Sequence, residues 1–175
     1  SEKGYLSLKL KAKVKGGHSS TPPKHTAIGA IALAIAVLES NPFPQTLDVM
    51  SFITSFLGKA VPFTQRMQYA NAWLFGGALK RKLAAQPLTN ALTRTTTAPT
   101  IIKAGSAENV LPAEAEALIN FRVMPGETLR DVYEYVNDLV GDETIEVLPA
   151  HGETLEGDHA WNPTPVADVE SPHYQ

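Results

Sequence analysis

The first segment with a clear pattern is residues 5–14. Leu6, Leu8, Leu10, Ala12 and Val14 alternate with Ser7, Lys9, Lys11 and Lys13. A period of two predicts a strand with one buried and one wet face. Lys15-Gly16-Gly17-His18-Ser19-Ser20-Thr21-Pro22-Pro23 follows. Its glycines are expected to take backbone angles closed to other residues, and its prolines stop the strand and delay the next helix. From Thr26 to Glu39 the period changes. Ile28, Ile31, Ile35 and Leu38 recur at helical spacing and can cover a sheet, while Ala27, Ala30, Ala34 and Val37 form a second, flatter apolar stripe. Asn41-Pro42-Phe43-Pro44 ends this helix.

Residues 45–90 read differently. Leu47–Ile53 and Thr54–Leu57 fit a strand or a helix. Phe63–Trp73 and Leu74–Leu83 look helical, with a break expected at Gly76-Gly77. Phe52, Phe56, Phe63, Trp73 and Phe75 make this stretch rich in large apolar groups. It is predicted to be a mostly helical insertion packing on the edge of the core.

Alternation then returns. Thr93–Lys103 is rich in threonine and isoleucine and predicts a strand, with Pro99 restricting it to an edge or a bulge. In Glu114–Val123, Ala115, Ala117, Ile119, Phe121 and Val123 share one face, and Asn120 and Arg122 the other. Thr128–Val140 predicts a helix, with Thr128 as cap, Asp131 three residues on, and Gly141 as its stop. Thr144–Leu148 predicts a last strand.

The order is strand, helix, insertion, strand, strand, helix, strand. Two split β-α-β units of this kind predict an α+β, ferredoxin-like sandwich, a four-stranded antiparallel sheet with two helices on one face. The first strand is then central and the Pro99 strand lies at an edge. The domain is expected over 1–150, with the helical insertion at about 45–90. Residues 151–175 read as an extended connector leading out of it.

Composition narrows the function. The chain has 175 residues, 43% of them apolar, and a net charge of −3 with both signs interspersed. That is enough apolar content for a core, and nothing in the pattern calls for nucleic acid or a membrane surface as partner. The longest apolar stretch, Ala27–Leu38, is too short to span a bilayer. With no cysteine, disulfides and thiolate metal sites are excluded. The chain starts at Ser1 and ends in a polar, proline-containing stretch, and it is read as an excised piece of a longer protein.

Hydrolytic metal sites need several converging His, Asp or Glu ligands. His18, His25, His151, His159 and His173 make no His-x-Asp or His-Glu-x-x-His arrangement, and Asp158-His159 is the nearest thing to a ligand pair. No metal ligand is therefore assigned. No Gly-x-Ser-x-Gly elbow and no phosphate-binding glycine loop occur either. Three groups remain. His18 is an exposed loop histidine or a proton donor held outward. Asn109 is a turn residue satisfying its own backbone or a substrate contact. Arg122 is a surface arginine on the wet face or a guanidinium fork for a carboxylate.

Three segments, Gly16-Gly17-His18-Ser19-Ser20 with Pro23, Glu108-Asn109-Val110-Leu111-Pro112, and Asn120-Phe121-Arg122-Val123-Met124-Pro125-Gly126, together resemble a known domain. It is the lid, or dimerisation, domain of the dinuclear-zinc metallopeptidase family of carboxypeptidase S, aminoacylase and succinyl-diaminopimelate desuccinylase. Asn71–Phe75, Pro87–Ala91, Arg94–Thr97 and Lys103-Ala104-Gly105 resemble the branch of carboxypeptidase S and its secreted N-acyl-amino-acid hydrolase relatives. The resemblance covers residues 2 to about 166; the order and spacing of the motifs carry it. It implies a full-length parent whose other domain holds two zinc ions and the general base, so that this domain alone is inactive. It implies a homodimer formed through the edge strand and first helix, acting on peptides or N-acyl amino acids. His18 would steady the oxyanion in the partner subunit's site, Asn109 would cross in the same way, and Arg122 would grip the substrate carboxylate in its own subunit. A second class remains open: a free-standing ferredoxin-like regulatory or dimerisation module that binds a small carboxylate without catalysis.

Overall fold

In the computed structural model of the chain, the described residues are 2–48, 50, 54, 58–152, 154–156 and 161–164. The alternating segment forms β1 (Gly4–Lys13). Leu6, Leu8, Leu10 and Ala12 are buried with no exposure, while Lys13 is exposed. The strand β5 (Glu114–Val123) behaves identically: Ala115, Ala117, Ile119, Phe121 and Val123 are buried. β1 and β5 pair antiparallel along their whole length, from Gly4 opposite Val123 to Lys13 opposite Glu114. β6 (Ile145–Pro149) flanks β1, and β3 (Thr96–Ala104) flanks β5, both antiparallel. The sheet order is β3-β5-β1-β6, the order of a ferredoxin-like sandwich with β1 central. β3 lies at the edge, and its register shifts between Pro99 and Ile101, so both readings of Pro99 apply.

Two helices cover one face. In α1 (Ala27–Ser40), Thr26 caps the start by accepting from the Gly29 N–H at 3.0 Å. Asn41 ends it, with its backbone N–H and its Nδ2 both donating to the Val37 carbonyl. Its two apolar stripes do not separate cleanly. Ala27, Ala30 and Ala34 are buried together with Ile31 and Leu38, whereas Ile28 and Leu33 face solvent. The buried face therefore draws on both stripes, and its alanines let the helix lie close to the sheet.

The last helix, α5 in chain order (Leu129–Val140), has the capping box that the sequence predicts. Thr128 Oγ1 accepts from the Asp131 N–H, and an Asp131 carboxylate oxygen accepts from the Thr128 N–H at 2.7 Å. These bonds hold the Asp131 carboxyl below its ordinary range, the backbone donor contributing most. Leu129, Val132 and Val136 are buried, and Gly141 closes the helix in the left-handed conformation.

The chain divides into two compact units, one of residues 1–42 and 96–175, the other of residues 43–95. The second unit is helical. After a 3₁₀ turn at Gly58–Ala60 come α2 (Phe63–Ala70), α3 (Ala72–Ala84) and α4 (Pro87–Thr93). The break falls at Asn71, not at the glycines. Asn71 donates through both its backbone N–H and its Nδ2 to the Met67 carbonyl, ending α2. α3 runs through Gly76 and Gly77 with Leu79 and Leu83 buried, and burial offsets the glycine cost of about 1 kcal/mol each. α4 starts on Pro87 at its first turn. It ends at Thr93, which is buried and accepts from Gln45 Nε2 at 2.9 Å. Thr93 is therefore the close of a helix, and the strand expected from Thr93 starts at Thr96. The strand-or-helix segments of 47–57, including Phe52 and Phe56, lie mostly outside the described residues, as does most of the connector beyond 152.

A short stretch of that connector is described. The Tyr5 N–H donates to the Trp161 carbonyl and the Thr164 N–H to the Glu2 carbonyl, each at 3.0 Å. Residues 161–164 thus lie beside the start of β1. Gly4 permits the approach: a Cβ there would come within 2.7 Å of the Trp161 carbonyl oxygen.

Candidate substrate-contact site

The loop after β1 is built as a second, very small sheet. β2 (Gly17–His18) pairs antiparallel with β4 (Val110–Leu111), placing Gly17 opposite Leu111 and His18 opposite Val110. The ladder continues to the Ser19 N–H, which donates to the Asn109 carbonyl at 3.1 Å. At the other end the Val14 N–H donates to the Ala113 carbonyl at 2.9 Å, tying the loop to the end of β1 and β5. His18 and Asn109, 91 positions apart in sequence, are therefore neighbours on one exposed tip. Gly16 is required here for close approach. Its φ is not positive, but a Cβ would meet the Leu111 carbonyl oxygen at 2.9 Å. Gly17 also lacks a positive φ and has open space around it, so neither glycine serves the conformational purpose expected of it.

His18 is held from one side. Its Nδ1 accepts from the Ser20 N–H at 3.2 Å and lies 2.8 Å from Ser20 Oγ. The Thr21 N–H donates to the His18 carbonyl at 3.2 Å, closing a turn around the same residue.

Arg122 occupies the open face of the main sheet. Its register partners are Tyr5 on β1 and Thr96 on β3. The guanidinium lies over the Tyr5 ring, 4.8 Å from the centroid, in cation–π contact. Below it, Asn120 Nδ2 donates to Ser7 Oγ at 3.1 Å and to the Leu6 carbonyl at 3.2 Å, and Ser7 Oγ donates to the Tyr5 hydroxyl at 3.3 Å. Ser7 is 1% exposed although it lies on the open face. A second cation stands nearby. Burial holds the Lys3 ammonium below the ordinary lysine range; Glu127 opposes this and Arg122 adds to it. Alternation put Arg122 on this face, but nothing in the spacing pointed to Tyr5 as its support. The only signal was the aromatic residue opening the first strand.

The three candidates are not one cluster within a single chain. Tyr5 pairs with Arg122 at one end of the β1–β5 ladder, and Lys13 with Glu114 at the other. At about 3.4 Å per residue the intervening strand spans about 27 Å. The His18–Asn109 ladder follows on from the Glu114 end, the end away from Arg122. The structure brings His18 and Asn109 together and leaves Arg122 far from both. Among the described residues, no group of three or more His, Cys, Asp or Glu side chains could hold a metal ion. The implied zinc ions thus find no ligand set among these residues. Asp158, His159 and His173 lie outside the described residues.

Known proteins resemble this chain in both sequence and fold. The family model described as peptidase dimerisation domain matches residues 1–147. The chain therefore belongs to the peptidase dimerisation domain family. It is 41% identical over 148 residues to the human N-fatty-acyl-amino acid synthase/hydrolase PM20D1, which covers 83% of this chain and 30% of that protein. It is 31% identical over 142 residues to carboxypeptidase S of Saccharomyces cerevisiae, covering 76% and 25% respectively. The chain spans about 30% of the length of such curated relatives. Among solved structures, an M20 family metallo-carboxypeptidase from Sulfolobus solfataricus superposes with a TM-score of 0.56 at 16% identity, over 99% of this chain and 47% of that one. That likeness establishes the fold.

Proposed function

We propose that this chain is the lid and dimerisation domain of a zinc-dependent exopeptidase or N-acyl-amino-acid amidohydrolase, and that it supplies substrate contacts to an active site built elsewhere in the protein. The metal ligands and the general base belong to the rest of the protein. The family membership and the names of its relatives support the reaction class. The observation that carries the site reading is that Arg122 and the His18 loop belong to opposite ends of the β1–β5 ladder, about 27 Å of strand apart. One peptide bond and its adjacent carboxylate cannot touch both groups of one subunit. They can touch Arg122 of one subunit and His18 of another.

Amide hydrolysis develops negative charge on the carbonyl oxygen, and an imidazole N–H placed there stabilises the transition state by about 2.7–4 kcal/mol. Asn109, beside His18 on the same tip, adds a second donor to the same region. A planar guanidinium matches the substrate carboxylate with two parallel hydrogen bonds, and the Tyr5 ring sets its plane.

The dimer forms through the outer edge of β3 and the outer face of α1. Ile28 and Leu33 on α1 are exposed, as are Ile101 and Ile102 on β3, which point to opposite faces of the sheet beside its unpaired edge. The buried alanine stripe of α1 takes no part in it.

Subunit mixing in the full-length protein tests the proposal. His18→Ala and Arg122→Ala homodimers should each be impaired. Mixed, they should regain about one quarter of wild-type turnover, because half of the sites in each hybrid combine an intact Arg122 with an intact partner His18. No recovery on mixing, with hybrids shown to form, would overturn the crossed site.

A further inference from the structure

The contacts on His18 all fall on one ring nitrogen. Ser20 presents two groups to Nδ1: its backbone N–H at 3.2 Å and its hydroxyl at 2.8 Å. A backbone N–H only donates. The nitrogen it points at must carry a lone pair, so in a neutral imidazole the proton sits on the other nitrogen. With Nδ1 bearing the lone pair, the Ser20 hydroxyl also donates to it. Nε2 has no hydrogen-bond partner among the described residues, and the ring is exposed on the tip. The turn closed by the Thr21 N–H on the His18 carbonyl brings Ser20 back onto the ring edge. Ring orientation and proton position are thus set within the four residues from His18 to Thr21.

We propose that Ser20 is a positioning residue that holds His18 in the Nε2–H form, with that N–H aimed outward as a donor. This rests on the oxyanion reading above and deepens it, since a donor role needs a proton on the outward nitrogen. The opposite tautomer would present a lone pair to a developing negative charge and repel it. Ser20 also fixes χ angles that an exposed histidine would otherwise sample, so the donor is oriented before substrate arrives.

Two readouts separate this inference from the reading it rests on. In the full chain, histidine ¹⁵N spectra of the neutral ring should show Nδ1 as the lone-pair nitrogen of His18 and Nε2 as the protonated one. Protonation on Nδ1 would overturn the proposal whatever His18 does in catalysis. In the full-length enzyme, Ser20→Ala should lower kcat about tenfold with KM unchanged, the weight of one hydrogen bond, because the backbone N–H stays in place. Ser20→Thr, which keeps the hydroxyl, should restore turnover. Wild-type kcat in Ser20→Ala, alongside a crippled His18→Ala, would overturn the positioning role alone. Full turnover in His18→Ala would instead overturn the oxyanion reading.

Discussion

Arg122 and His18 are held by different kinds of structure. Arg122 lies near the end of a ten-residue strand that is paired on both sides, with Phe121 and Val123, its buried neighbours in sequence, packed into the core. His18 lies in a two-residue strand with a single partner, and no residue from Ser19 to His25 is buried. The strand derives its rigidity from the hydrophobic core and the loop from a handful of backbone hydrogen bonds. In the proposed roles, a carboxylate clamp at Arg122 would gain from fixed geometry, and a donor at His18 reaching another subunit would need an exposed support.

The largest expected effect strikes the strand. Phe121 is fully buried, and Phe121→Ala should cost about 3–5 kcal/mol in urea unfolding, because it leaves a cavity beneath Arg122. A loss below about 1 kcal/mol would show that β5 is not the anchor described here.

The corresponding change in the loop is Gly16→Ala. The new Cβ meets backbone at 2.9 Å, so the β2–β4 ladder must shift, but little apolar surface is lost. Global stability should fall by no more than about 1 kcal/mol. Hydrogen exchange of the Ser19 amide, which bonds to Asn109, should rise sharply. If this variant unfolded the whole chain, the contrast between core-held and loop-held residues would collapse.

Tyr5→Leu sharpens the strand side. It keeps the apolar bulk and removes the ring under Arg122, a change of about 0.5–1 kcal/mol at an exposed site. In the full-length enzyme the effect should appear in KM for carboxylate-bearing substrates rather than in kcat. An equal loss in both would assign Tyr5 to something other than carboxylate binding.

The smallest effect depends on pH. The Asp131 carboxyl is held low by the Thr128 N–H and hydroxyl, so its stabilisation is present above the unfolded carboxylate range. It is lost as pH falls through the folded value. Wild-type stability should decline on acidification, and Asp131→Asn should flatten that decline while costing about 1 kcal/mol or less at neutral pH. An unchanged acid slope would show that the capping box does not contribute to it.

Much of the architecture was readable from residue order because its signals are local. Period-two alternation gave β1 and β5 their faces, Pro99 placed β3 at an edge, and Thr128, Asp131 and Gly141 marked both ends of α5. Where local signals conflict, tertiary contacts decide. Gly76-Gly77 looked like a break, yet the hydrogen bonds of Asn71 made the break and α3 absorbed the glycines. Thr93 looked like strand, but Pro87 had already begun a short helix that ends there. On α1 the buried face takes residues from both stripes, which only packing against the sheet decides.

For the site, residue types and spacing singled out His18, Asn109 and Arg122 as candidates and tied the chain to its family. The tertiary structure decided how they relate. Strand register sets Arg122 about 27 Å from the base of the loop, while a two-residue ladder brings His18 and Asn109 together. It also supplied the supports, Tyr5 beneath the guanidinium and Ser20 against the imidazole. Sequence encodes local preference because dihedral and burial patterns repeat over a few residues. Distances between residues far apart in the chain exist only once strands have paired, so they belong to the fold.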